Sequence, residues 1–269
     1  MKNLFLRTLL VLLLFMPAVY GLVGEKYNKA TKRDELILVS TQQEKKIGAA
    51  IAKQVAKKFK DVDDPLLQKR IAQIGERIAE VSDREDVIYR FKVLKAKNPN
   101  NYNAFALPGG YIYIFDTLVK KARNDDEIAA ILAHELAHIA AKHSIKKLQT
   151  TMGLNALVIL GITMRTDPRT FSKAMDALNH LMVAYSREAE VEADVLSVRY
   201  MKEAGFNPEA VISVLELMHN LRRKGPLMRY LYYRSHPYMS ERLARIKTEV
   251  HGKTDFDSFI NLPERGADF

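Results

Sequence analysis

The chain has 269 residues, 48% of them hydrophobic, with no cysteine, no tryptophan and a formal charge of +10. That length and apolar content suffice for one substantial core, and nothing in them demands a second domain. The missing cysteines exclude a disulfide framework, a thiol nucleophile and a lipid-anchored cysteine, and positive residues spread along the chain without interleaved aromatics argue against nucleic acid as a partner.

Lys2 and Arg7 precede an apolar run over residues 9–16, and small residues follow near Val19-Tyr20-Gly21. This is the layout of a secretory signal, so residues 1–21 are expected to be a signal peptide cleaved after Gly21. The run is shorter than the roughly 18 residues a spanning helix needs. Residues 22–40 read as a polar linker. Ile47, Ile51, Val55 and Phe59 then recur every four residues opposite Lys46, Lys53, Lys57 and Lys60, the pattern of an amphipathic helix whose lysine face reads as a solvated surface, with peripheral contact with a membrane surface as the alternative. Residues 61–65 break it, and Pro65 opens a second helix to about residue 81.

Residues 87–94 alternate and favour β-structure. Pro108-Gly109-Gly110 is a turn feeding a second strand up to Phe115. Asn124 is placed to cap a helix over residues 125–148, with Glu127 completing a capping box. The apolar segment 152–164 is too short to cross a bilayer and reads as a core helix. A long helical pattern runs over residues 170–204 to Gly205, and two more helices follow. Two strands flanked by helices predict a mostly helical α+β fold, with one domain over residues 41–269.

Inside the predicted 125–148 helix stands His134-Glu135-Leu136-Ala137-His138. Histidines four apart share a helix face and can bind one metal, with Glu135 beside them. Structural zinc is usually closed by four protein ligands, commonly with cysteine, whereas a hydrolytic site keeps three ligands and an open fourth position. A cysteine-free chain therefore favours catalysis, in which the metal lowers the pKa of bound water to about 7 and Glu135 takes its proton.

A third ligand must come from elsewhere. The extended HExxHxxGxxH pattern would put glycine at 141 and histidine at 144, where the chain has Ala141 and Ser144. His143 lies five residues past His138, about 140° around a continuous helix, and is expected to point away from the metal. Peptide deformylase chemistry would need a cysteine ligand. The remaining source is the acidic stretch over residues 185–194, where Glu190 and Asp194 share a helix face with Val183, Val198 and Met201. Buried carboxylates need a partner, and a metal or Arg187 would serve; helical spacing alone does not choose between Glu190 and Glu192.

The segments Asn103-Ala-Phe-Ala-Leu-Pro-Gly-Gly110, His134 to His143, Tyr185-Ser-Arg187, Glu190-Val-Glu-Ala-Asp194 and Ser235-His-Pro237 before Glu241-Arg242 together resemble the gluzincin metalloendopeptidases of the HtpX and CaaX-prenyl-protease superfamily. The resemblance is strongest to its periplasmic branch, which contains LoiP and BepA, and it covers about residues 40–247. It implies a zincin-like domain with a small sheet beside the HExxH helix, one Zn2+ per chain, Glu190 as third ligand and an ancillary role for Asp194. It also implies that the strand from Tyr111 borders the cleft, so that Gly110, Tyr111, Ile112 and Tyr113 receive an extended substrate as an antiparallel strand. His236 takes one of two roles, oxyanion stabiliser or fourth zinc ligand holding the enzyme inactive until substrate arrives.

The implied activity is endoproteolysis of unfolded or misassembled cell-envelope proteins in the periplasm. A zinc-stabilised periplasmic chaperone that binds unfolded chains without cutting them is the rival reading. The helical-repeat domain of fuller family members has no counterpart in the matched segments, so docking to a large assembly machine is not expected.

Overall fold

Gly24–Asn28 (β1) and Arg33–Ile37 (β2) pair as an antiparallel hairpin where the sequence reads as a linker. The computed structural model describes residues 24–157, 168–223, 236 and 239–252; the signal segment, the end of the 152–164 apolar run and both neighbours of His236 lie outside the described residues. The hairpin was illegible because polar contacts hold it. Asn28 Oδ1 accepts from Ala30 N at 3.0 Å to shape the turn, and Glu35 accepts from Asn28, Thr31 and Lys146.

Ser40 and Gln43 form a reciprocal capping box that starts helix α1, Thr41–Lys58. Asp64 caps helix α2, Pro65–Ala79, whose proline sits in the first turn as expected. Arg90–Leu94 (β3), Ala104–Leu107 (β4) and Tyr111–Phe115 (β5) form a sheet in the order β3-β5-β4, with β3 parallel and β4 antiparallel to the central β5. The β4 strand was read only as the approach to a turn. Gly109 and Gly110 make the turn with φ of +76° and +102°, a region glycine enters without a Cβ penalty.

Side chains alternate along β5 and split the interior in two. Ile112 and Ile114 face one core, with Ile71 and Ile78 of α2 and the buried faces of the later helices; Tyr113 and Phe115 face another, with Ile47 and Ile51 of α1. After a short helix α3, Asp116–Val119, come α4 Asp125–Ala140, α5 His143–Met152, α6 Pro168–Leu181, α7 Arg187–Glu203, α8 Glu209–Arg223 and α9 Met239–His251.

Two expected helices are each divided. The 125–148 helix breaks at Lys142, which adopts a left-handed conformation with φ +55°. The 170–204 helix breaks between Leu181 and Arg187, where Lys147 Nζ donates to the carbonyls of Val183 and Ala184 and Ser186 caps α7. Asn124 caps α4 as expected, accepting from Glu127 N at 2.9 Å, but the Glu127 carboxylate accepts from Arg123 N instead of closing the box on Asn124. Among the described residues no helix is long and apolar enough to cross a membrane.

Candidate metal centre

Helix α4 is buried on every side from Glu127 to Ala140. A helix apolar all round belongs in an interior, and this one carries His134, Glu135 and His138 there, at 3%, 0% and 0% exposure. Helix α7 crosses it and supplies Glu190 and Asp194; Arg242 comes from α9, and His236 from the segment before it. All four are buried.

The ligand-capable atoms converge. His134, His138, Glu190 and His236 each offer one atom, all within 4.8 Å of one another. His134 Nε2 is 3.1 Å from His138 Nε2, and each lies 3.5 Å from a Glu190 oxygen. His236 Nδ1 stands 3.1 Å from both Glu190 oxygens and 3.2 Å from His134 Nε2. Nitrogen lone pairs and a carboxylate aimed at one point suit a cation, and two imidazoles with a carboxylate suit zinc.

Charge balance points the same way. Glu135, Glu190 and Asp194 are buried carboxylates, and among the described residues Arg242 is the guanidinium that opposes them, contacting Glu190 Oε2 at 2.7 Å and gripping Asp194 at 2.6 and 2.8 Å. Buried charge of one sign needs compensation. A divalent ion would supply it, and in the metal-free chain protonated histidine does so in part. Burial opposes charge on His236, but Glu190 and Glu135 outweigh it and raise its pKa to about 9. Burial likewise disfavours the charge on His134, which Asp194 and Glu190 overcome. His138 is different: burial holds it well below the ordinary imidazole value despite Glu190, which leaves a neutral ring ready to ligate. Burial pushes against ionised Glu190, yet His236 and Arg242 keep its pKa well below the carboxylate norm.

Both Glu135 oxygens are buried with no hydrogen-bond donor among the described residues. His236 Nε2 lies 3.3 Å from Glu135 Oε1, a charge contact that falls short of a hydrogen bond. His134 Nδ1 is 2.9 Å from Asp194 Oδ1, at an angle bent away from an ideal hydrogen bond. Tyr185 stacks on the His138 ring at 4.1 Å between centroids, and its hydroxyl meets Ser144 Oγ at 3.1 Å.

The structure thus gathers His134, Glu135, His138, Glu190, Asp194 and His236. Arg187 stays outside, pairing with Glu241 at the surface because its place in the first turn of α7 points it outward. Arg242, quoted only as part of a motif, is the arginine that holds the buried carboxylates. His143 also departs from expectation: the break at Lys142 turns it inward, with Nδ1 2.9 Å from His138 Nδ1. Gly110, Tyr111, Ile112 and Tyr113 lie at or in the central strand, hydrogen-bonded to β3 on one side and β4 on the other. They have no edge to offer an added strand. The outer strands are β3 and β4, and of these β4 packs beside α4.

Comparison with known proteins gives a consistent result. The sequence pattern of peptidase family M48 matches residues 65–250. The mitochondrial metalloendopeptidase OMA1 of Schizosaccharomyces pombe is 29% identical over 234 residues, covering 85% of this chain and 67% of that protein. OMA1 of Saccharomyces cerevisiae is 30% identical over 168 residues, 59% of this chain and 48% of its own. The β-barrel assembly-enhancing protease of Escherichia coli (strain K12) is 22% identical over 222 residues, 79% of this chain and 45% of its own. The chain therefore spans about half to two thirds of the length of these relatives. The match agrees with the resemblance carried by the motifs and adds a mitochondrial group to it.

Proposed function

The chain belongs to peptidase family M48, and from that premise we propose that it is a zinc-dependent metalloendopeptidase that cleaves unfolded or misassembled proteins of the cell envelope. His134, His138 and Glu190 would hold one zinc ion, which when bound supplies Lewis acidity to a water and to the scissile carbonyl. Glu135 takes the proton of the attacking water and delivers it to the departing amine, so the base ends each cycle as it began. The observation that carries this reading is the Glu135 carboxylate, fully buried beside a convergent ligand set with no hydrogen-bond donor to it among the described residues. Burying a carboxylate this way is costly unless it serves a group that arrives from outside.

His236 fits best as the group that fills the fourth position at rest. Its Nδ1 sits among the ligand atoms. An extended substrate would add along β4 instead of Gly110–Tyr113, since β4 is an outer strand and packs beside the helix α4 that carries His134 and His138. Export to the periplasm is supported by the signal-like first residues and by the likeness to the β-barrel assembly-enhancing protease of Escherichia coli.

The test is degradation of casein. Wild type is expected to cleave it, Glu135→Gln to lose about 10²- to 10⁴-fold in rate, and chelation to abolish cleavage until zinc is restored. Equal cleavage by wild type and Glu135→Gln, indifferent to chelation, overturns the proposal. A chaperone without hydrolysis would instead keep its full cellular function in Glu135→Gln.

A further inference from the structure

The two histidines of α4 are anchored in different ways. His134 Nδ1 faces Asp194, itself fixed in the interior by Arg242. His138 Nδ1 faces another imidazole: His143 Nδ1 at 2.9 Å, whose Nε2 is 3.1 Å from Glu192 Oε2. Glu192 in turn pairs with Arg33 of the N-terminal hairpin. We propose that His143 and Glu192 form a hydrogen-bond relay that sets the tautomer and orientation of His138 for metal binding, with Arg33 closing its outer end; this rests on the zinc reading above.

The proton inventory allows only one useful arrangement. An ionised carboxylate accepts and cannot donate, so Glu192 requires the proton of His143 on Nε2. The Nδ1 of His143 is then a lone pair, and the contact with His138 Nδ1 becomes a hydrogen bond only if His138 donates. That puts the His138 proton on Nδ1 and turns its Nε2 lone pair toward His134 Nε2 and Glu190, where the metal binds. In the reverse arrangement His143 presents a lone pair to Glu192, and His138 presents an N–H to the metal position. Metal-binding histidines usually donate their other N–H to a carboxylate, carbonyl or water; here a second histidine is interposed.

The interposition has a consequence. A neutral imidazole has no charge with which to hold the donor, so the His138 anchor is softer than the His134 anchor. Its outer end also reaches solvent, with side-chain exposure of 22% at Glu192 and 63% at Arg33. The hairpin is therefore coupled to one metal ligand through three side chains, and a change at the surface can loosen it.

Zinc affinity, measured on the full chain by competition with a chromophoric chelator at fixed neutral pH, tests the relay without any protease assay. His143→Phe keeps the ring and removes the nitrogens; Glu192→Leu removes the acceptor. Both are expected to weaken zinc binding about 10- to 100-fold, the range for such outer partners. Glu192→Gln, whose amide oxygen still accepts from His143, should stay close to wild type, and Arg33→Ala should fall between. Thermal unfolding of the metal-free proteins checks folding, and should His143→Phe fail there, the partly exposed Glu192→Leu and its Gln counterpart decide the matter. Wild-type affinity in a folded Glu192→Leu overturns the relay, as does a Glu192→Gln loss as large as that of Glu192→Leu. Wild-type protein that binds no zinc overturns the metal reading and the relay together.

Discussion

Two buried arginines, Arg84 and Arg242, have almost the same partners and opposite significance. Arg84 grips Glu44 through two bonds of 3.1 Å and Asp86 through bonds of 2.7 and 3.0 Å, and donates to the Ile139 carbonyl at the end of α4. Arg242 grips Asp194 and Glu190 in the same manner and donates to the His236 carbonyl. Around Arg84, Gly109 N also donates to Glu44 and Thr41 to Asp86, and Asp86 is 44% exposed, so the residual charge is hydrated. Around Arg242 the carboxylates also face histidine nitrogens, and Glu135 lies beside them with His236 Nε2 at 3.3 Å and no hydrogen-bond donor among the described residues. A buried arginine with two carboxylates is therefore an ordinary structural clasp. Buried carboxylates set among histidine nitrogens that converge on one point are what mark the site.

The largest expected effect tests that distinction. Arg242→Met leaves Asp194 and Glu190 buried without their guanidinium, a change that should cost about 3–5 kcal/mol in denaturant unfolding of the metal-free protein. Saturating zinc should recover part of the loss, because the ion supplies positive charge to the same carboxylates. Arg84→Met should cost about 3 kcal/mol, toward the lower end of that range because Asp86 can rehydrate, and zinc should recover none of it. If zinc rescues both variants alike, or neither, the two clusters do not differ as described.

Much of this was legible in the sequence, and the failures have a common cause. The HExxH pair depends on helical spacing within one segment, so His134, Glu135 and His138 could be placed without any fold. Choosing Glu190 over Glu192 needed the family resemblance, and the structure shows why spacing could not do it: Glu192, two residues on, serves His143 instead. Arg187 was favoured because it is near in sequence, whereas Arg242 lies 48 residues from Asp194 and reaches it only through the packing of α9 on α7. His143 was misplaced because apolar periodicity continues past Ala140, and nothing in Lys142 announces a left-handed residue. The β4 strand was hidden by its shortness and by burial on both faces, which erases alternation. The resemblance points to the strand from Tyr111 as the one that receives substrate, and strand order, which places it at the centre of the sheet, is not legible in the sequence.

A smaller effect probes how the Arg84 clasp is set. A Cβ on Gly48 would lie 1.8 Å from the Pro108 carbonyl oxygen, so α1 and the turn before β5 touch backbone to backbone. Gly48→Ala must push that turn off α1 and stretch the bond from Gly109 N to Glu44. Overpacking of this kind costs about 1–3 kcal/mol, to be read in the same unfolding assay. Zinc affinity should hold, since Glu44 and Arg84 do not contact the ligands. Weakened zinc binding in folded Gly48→Ala would mean that the two clusters behave as one unit.

The smallest effect is a pH dependence confined to the Arg84 side. Burial alone would raise the pKa of Asp86, but hydrogen bonds and charge from Arg84 bring it from 3.8 down to about 2. A carboxylate depressed in the folded state binds its proton more readily when unfolded, so it stabilises the fold above its unfolded pKa. That contribution should fade as pH drops through 4 toward 2. Because Asp86 is well exposed, solvent and salt screening keep it small. Urea unfolding of wild type and Asp86→Asn from pH 6 to pH 2 should show the wild type ahead at the upper end and the two curves meeting at the lower, with the gap narrowed by added salt. Curves that stay parallel down to pH 2 would show that Asp86 adds nothing to the clasp, leaving Glu44 as the only carboxylate that matters to Arg84.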